Sequence, residues 1–375
     1  MTKTFFDGLV DELGLVLNGE TKSLCQQLID ETVQKPFTQT AHMSGSLYPA
    51  ALAGQVLATL HQGNLLSAAN FPTLRQVEAD TLAEMAALFS FPFGHFTTGG
   101  SMGNLEALAK AKARYPNLNT VYVSDSCHYS INKACLFLGL SLIQIPTDSD
   151  YRIDLQALQQ ACEAEKPLAI IANAGSTSGG HIDPLVNIAE IAKQYQCWFH
   201  IDAAWGGFMA LLDVTAISDA GLYADSLCFD PHKSLGQPRP CGLLFYKQPL
   251  AKVTSNAEYL SEAPDTRLIG SRGGEYFLSL WLTLQHHGLC EIKIDLKRKI
   301  EESQQLMALL QGKVGHLIYG ETGIICFQHN KNLQPPIDEQ VLSQTTLNKQ
   351  PYYRIVFADR HARAEDVFMR LAPYL

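Results

Sequence analysis

The chain has 375 residues, 46% of them hydrophobic and 17% charged, a balance that can bury a large core and excludes a mainly disordered protein. Its 28 Lys and Arg against 37 Asp and Glu give a formal charge of -9, with no basic run longer than Lys297-Arg298-Lys299, which argues against a nucleic-acid or anionic-membrane partner. Nine cysteines without a CxxC pair, no secretory signal ahead of Asp11 and Glu12, and no apolar run of membrane-spanning length lead to the expectation of a cytoplasmic protein.

In chain order, residues 1–50 read as a helical arm joined through Pro36 and Pro49, and 52–60 and 74–89 as helices leading into a sheet. Between about Phe93 and Lys247, short apolar runs alternate with helical segments. Residues 121–123, 142–145, 168–172, 197–201, 227–229 and 243–246 have strand length, whereas Ile188, Ala189, Ile191, Ala192 and Tyr195 recur as on one helix face. Such alternation implies crossover units and a mostly parallel sheet covered by helices. After Gly270 to Gly274 come a long helical segment and a mixed tail with strand-like 317–319, 324–327 and 353–357. The expected fold is α/β, with a large domain at 51–285 and a smaller α+β domain at 286–375.

Ligands of such sheets bind beyond the carboxyl ends of the strands, and four segments place reactive or Gly-rich residues there. Thr97 to Asn104, followed by Leu105 and Leu108 at helical spacing, suits a phosphate cradle at a helix amino terminus. The same letters fit a GxSxG nucleophile elbow around Ser101, although no firm apolar strand precedes it. His200 and Asp202 share a strand face in the second segment; two ligands are too few for a metal, so no metal is expected. In the third, Lys233 follows Asp230, Pro231 and His232 at a strand end, where a pocket that depresses its pKa would make it a Schiff-base nucleophile. An isolated Lys is otherwise a solvated residue. His128 in the fourth segment is a cavity residue or a hydrogen-bonded loop histidine.

The strings TTGGSMGNLEAL, SDSCHYSINKA, NAGSTSGGHIDPL, WFHIDAAWGG, DSLCFDPHKSLGQPRPCGLLFYK and GSRGGEYFLSLW stand in one order from about Gly94 to Trp281. In them the chain resembles the pyridoxal-phosphate-dependent group II amino acid decarboxylases, which act on glutamate, aspartate, diaminobutyrate, histidine and aromatic amino acids. AHMSGSLYP and YYRIV are similar to family segments less specifically. The resemblance implies a fold-type I architecture, pyridoxal 5'-phosphate as cofactor, and a homodimer whose active sites draw on both subunits.

It also implies roles. Lys233 matches the lysine that holds the cofactor as an internal aldimine, and Asp202 the aspartate facing the pyridine nitrogen. A buried anion ~4 Å from a cation gains about 4 kcal/mol at an effective dielectric of about 20, which keeps the ring protonated as an electron sink. His128 is similar to the histidine stacked on the ring and Ala204 to the small residue on its other face. Gly100, Ser101 and His232 match phosphate-binding positions, with Asn104 supporting them from behind. Arg354 matches an arginine that contacts substrate carboxylate, the alternative being a structural salt bridge.

Two departures stand out. The family commonly carries a proton-donating tyrosine on a mobile loop, but Ser261 to Gly270 has none, with Tyr259 before it and Tyr276 after. The chain is also shorter than many relatives, which implies an abbreviated small domain. The expected function is decarboxylation of an L-amino acid, glutamate or aspartate placed first and diaminobutyrate or an aromatic amino acid next. A carbon-carbon lyase or aldehyde-forming variant is the alternative, followed by an inactive cofactor-binding homologue or a serine hydrolase using Ser101.

Overall fold

The computed structural model describes residues 2–33, 40–253, 260, 262–328 and 341–375. The amino-terminal arm holds α1 (Thr2–Glu12) and α2 (Gly19–Val33); Pro36 lies outside the described residues. Pro49 does not link arm and body but opens α3 (Pro49–His61), where its fixed φ suits the first helical position. After α4 (Pro72–Ala87) the chain alternates as expected: β1 (Phe93–Thr97), α5 (Gly100–Arg114), β2 (Thr120–Ser124), α6 (Tyr129–Leu138), β3 (Ser141–Ile145), α7 (Leu155–Ala164), β4 (Ala169–Asn173), α8 (Leu185–Tyr195), β5 (Trp198–Asp202), α9 (Thr215–Gly221), β6 (Ser226–Phe229), α10 (Pro231–Ser234) and β7 (Gly242–Tyr246).

These strands form one sheet in the order β1-β7-β6-β5-β4-β2-β3. The pairs among β2 to β6 are parallel, and β7 runs antiparallel between β1 and β6. Every residue of β4, β5 and β7 is buried, as apolar strands covered on both faces must be. Helix ends are set locally. Asp154 caps α7 by accepting from the Gln156 and Ala157 amides, and Gly139 closes α6 in the left-handed region, at φ 63.

The expectation that no firm strand precedes Ser101 is wrong: β1 does. Its letters, FGHFT, hide it because His95 and Gly94 break the apolar pattern. The His95 ring is satisfied in the core by Glu106 of α5 at 2.8 Å and by the Tyr246 hydroxyl at 3.3 Å.

The long helix α11 (Leu278–Leu310) spans both bodies, broken at Gly288, whose φ is 67. Its Leu280, Leu284 and Ile292 join the main core, while Leu306 and Leu310 join a second one. That second core lies under an antiparallel sheet of β8 (Leu317–Tyr319), β9 (Ile324–Phe327), β10 (Ser343–Leu347) and β11 (Gln350–Val356), ordered β10-β11-β9-β8, with α12 (Ala364–Leu371). The polar β10 escaped the sequence reading, and the expected boundary at 285/286 falls inside α11, just before Gly288. No helix among the described residues is long and apolar enough to cross a membrane.

The buried carboxyl of Asp183 ties the sheet to the loop before α7, accepting from the Ile153 amide at 2.9 Å and the Asn173 amide at 2.7 Å. Asp183→Ala leaves both amides buried without a partner. It is expected to cost about 2–4 kcal/mol of stability, measured by urea denaturation of the purified protein.

Candidate active site

The carboxyl ends of β1, β4, β5 and β6 converge on a cavity of about 290 Å³, lined among others by Gly99, Gly100, Ser101, Asn104, His128, Asn173, Asp202, Ala204, Asp230, His232 and Lys233. Asp202 ends β5, in register with Asn173 of β4 and Cys228 of β6. Asn104 Nδ2 donates to its Oδ2 at 2.9 Å, while the Ala204 amide and the Cys228 thiol donate to Oδ1 at 3.1 and 3.4 Å.

Asn104 is itself fixed, because its Oδ1 accepts from His200 Nε2 at 2.9 Å. The other ring nitrogen of His200 meets Ser226 Oγ at 2.8 Å, and that oxygen accepts from Trp198 Nε1 at 2.9 Å. Burial pushes the His200 pKa down to about 4, so the ring is neutral and both nitrogens are occupied, leaving none for a metal. Burial also pushes the Asp202 pKa up, but Lys233 and the Asn104 hydrogen bond outweigh it and hold the carboxyl below its ordinary value. The product is a buried, oriented carboxylate that stays charged.

Lys233, on the single turn of α10, extends its amine to 3.1 Å from Asp230 Oδ2. Here the structure corrects the expected depressed pKa. Burial lowers it, yet Asp230 and Asp202 more than compensate, and the net shift is upward. Asp230, at the end of β6, was seen in the sequence only as a neighbour of the lysine. Its three-residue spacing from Lys233, one helical turn, is the signal that could have found it.

His128 caps α6: its Nδ1 accepts from the Ser130 amide at 3.3 Å and meets Ser130 Oγ at 2.8 Å. That holds one ring edge still beside the cavity. Burial pushes its pKa down, which favours a neutral ring. His232 Nδ1 donates to the Cys241 carbonyl at 2.8 Å.

Arg354 and Tyr276 stand apart from the cavity, and Ser101 lines it in a different capacity from a nucleophile. Ser101 is exposed at the start of α5, and none of the hydrogen bonds among the described residues joins it to a histidine, so the elbow lacks its base. Among the described residues, Arg354 neither lines the cavity nor meets a carboxylate. Its guanidinium donates to the Thr177 and Ala41 carbonyls and to Ser343 Oγ, and through Thr177, which lines the cavity, it braces one wall. Tyr259 and Ser261 lie outside the described residues, and Tyr276 packs against the main core rather than lining the cavity.

The sequence profile of the pyridoxal-dependent decarboxylase conserved domain matches residues 20–330. The chain belongs to the pyridoxal-dependent decarboxylase family. Within that family it is 36% identical over 196 residues to a glutamate decarboxylase-like protein of Gibberella zeae, covering 46% of this chain and 38% of the relative. It is 34% identical over 238 residues to L-2,4-diaminobutyrate decarboxylase of Rhizobium meliloti, covering 59% and 48%. The matched stretches thus span less than half of either relative. Among solved structures, mouse CSAD superposes with a TM-score of 0.81 at 22% identity, covering 98% of this chain and 91% of that one. Oryza sativa TDC with PLP and tryptamine gives 0.80 at 18% identity, covering 98% and 90%. These likenesses show the fold, including its mostly parallel sheet and small second domain.

The family's cofactor is pyridoxal phosphate, and this chain's residues fit it. The backbone comes unusually close to the cavity at Gly99 and Gly100. A Cβ on Gly100 would sit 2.9 Å from the Ala204 Cβ and 3.1 Å from Asp230 Oδ2; Gly99, at φ +138, would meet His232 at 2.9 Å. The Gly100 and Ser101 amides, first in α5, have no acceptor within the helix, so the amino terminus of this 15-residue helix is free to receive a phosphate. Two buried polar atoms of cavity-lining residues, Asn173 Nδ2 and Asp230 Oδ1, lack hydrogen-bond partners among the described residues, as groups awaiting a polar ligand do.

Asn104 is the bracket that aims Asp202. Asn104→Ala is expected to weaken pyridoxal phosphate binding about tenfold, since it removes a charge-assisted hydrogen bond. An absorbance titration of apoprotein with the cofactor measures it.

Proposed function

We propose that this chain removes carbon dioxide from an L-amino acid, using pyridoxal phosphate held at Lys233. The observation that carries the reading is the Lys233 amine and the ionised Asp202 carboxylate facing one cavity. When bound, the cofactor supplies an aldehyde that condenses with amines and a pyridinium ring that takes up the electron pair left as carbon dioxide departs.

The chain's own residues supply the rest. Asp202, braced by Asn104 and the Ala204 amide, holds a proton on the ring nitrogen opposite it. His128 and Ala204, both on the cavity wall, would flank the ring with a flat neutral imidazole and a methyl group. Gly100, Ser101 and His232 would hold the phosphate, to which the α5 amino terminus would offer its unpaired amides. Lys233 has a further part: Asp230 at 3.1 Å keeps its Nζ protonated, so it can return a proton to the substrate carbon. This matters because residues 262–270 contain no tyrosine.

An acidic substrate, glutamate or aspartate, is the first choice, with diaminobutyrate and aromatic amino acids next. A homodimer with shared active sites is part of the proposal. Leu9 of α1, Leu13 just after it, Leu24 and Leu28 of α2, and Leu52, Leu57 and Leu60 of α3 are exposed, apolar side chains of the kind a second copy covers. The proposed setting is the cytoplasm, consistent with nine unpaired thiols. The tyrosine-free loop favours one second reading, an aldehyde-forming or carbon-carbon lyase outcome.

Lys233→Ala is expected to lower carbon dioxide release about a thousandfold while cofactor still binds non-covalently. Gas release from glutamate, aspartate, diaminobutyrate and aromatic amino acids, with the organic product identified as amine or aldehyde, measures it. Full turnover in the variant, or aldehyde as the main product, contradicts the proposal. Sedimentation velocity of the wild type is expected to show twice the chain mass.

A further inference from the structure

Arg239 lines the same cavity as Lys233 and Asp202. It is carried by the loop from α10 to β7, and that loop is pinned along its length. Gln237 Nε2 donates to the Leu235 carbonyl at 2.9 Å and to Thr283 Oγ1 at 3.2 Å; the Gly236 carbonyl accepts from the Tyr48 amide at 3.2 Å; and His232 Nδ1 holds the Cys241 carbonyl. A long cation is thus presented from a fixed base.

Among the described residues, Arg239 has neither an ion-pair nor a hydrogen-bond partner. The other full cation on the cavity, Lys233, is engaged by Asp230. Arg354 has its donors committed to the Thr177, Ala41 and Ser343 oxygens. Arg239 and His232 line the same cavity; burial above all lowers the His232 pKa, and the Arg239 guanidinium acts in the same direction. Yet Arg239 is exposed, whereas Gly99, Gly100 and His232 are buried. It therefore stands at the exposed rim of the cavity, outboard of the buried glycine cradle.

We propose that Arg239 is a specificity-determining residue that receives the distal carboxylate of an acidic amino acid. A guanidinium offers a planar two-donor fork to a carboxylate and nothing comparable to an apolar side chain. This inference rests on the decarboxylase reading and deepens it.

The test uses cofactor-loaded wild type, Arg239→Gln and Arg239→Lys. The cofactor's absorbance change is titrated with L-glutamate, L-aspartate and the neutral L-norvaline, and pyridoxal phosphate affinity is measured separately by fluorescence. Arg239→Gln is expected to weaken binding of the better acidic amino acid at least about tenfold, with norvaline and cofactor affinities changed less than about threefold. The lysine variant should recover part of the loss. Equal weakening for norvaline and the acids would assign the guanidinium to the carboxylate all amino acids share; a selective loss of cofactor affinity would assign it to the phosphate. Either result, or no change at all, overturns the proposal. If the wild type binds the acids in an Arg239-dependent way but releases no carbon dioxide, the reaction assignment fails while this one stands.

Discussion

The structure depends on keeping one carboxylate ionised inside the protein. Asp202 sits at the end of a fully buried strand, where desolvation alone would neutralise it. The sheet prevents this by placing donors around it: Asn104 from α5, the Ala204 amide from its own turn, and Cys228 from the adjacent strand. Behind them a neutral His200, Ser226 and Trp198 orient Asn104. Buried polar networks of this kind are stabilising only when every member is satisfied, and the members come from two adjacent strands, β5 and β6, the turn after β5, and one helix. Fold and site therefore stand together.

A second electrostatic constraint acts across the cavity. Asp230 pairs with Lys233, so the amine is held in place and protonated at the same time. The glycines of the α5 amino terminus let the backbone approach where side chains would collide with Ala204, Asp230 or His232. These short-range contacts explain why GGS, DAAWGG and DPHK come together although they lie far apart in the chain. Each motif occupies the end of a strand, and the sheet order brings those ends together.

Much of this was legible from the amino-acid sequence. Apolar runs of strand length marked β2 to β7 because a parallel sheet buried on both faces demands continuous hydrophobicity, and the motif strings placed Lys233, Asp202 and His128 at strand ends. Other features were hidden by their chemistry. β1 contains a histidine that is tolerated only because Glu106 and Tyr246 satisfy it, a pairing no local pattern reports. β10, SQTTL, is a polar strand whose first residues are partly exposed. The rise in the Lys233 pKa arises from two carboxylates acting against burial, and their balance depends on distances. Arg354 and Arg239 exchanged prominence for the same reason: a motif identifies a residue type, whereas only the fold shows which guanidinium has its donors already committed.

The central claim is that Asp202 keeps the bound cofactor's ring nitrogen protonated. The most direct measurement is the nitrogen-15 chemical shift of ring-labelled pyridoxal phosphate bound to the wild-type protein at neutral pH, with Asp202→Ala for comparison. A pyridinium shift in the wild type that moves to the neutral pyridine value in the variant is predicted. A neutral ring nitrogen in the wild type, or a shift indifferent to the loss of the carboxylate, would contradict the account.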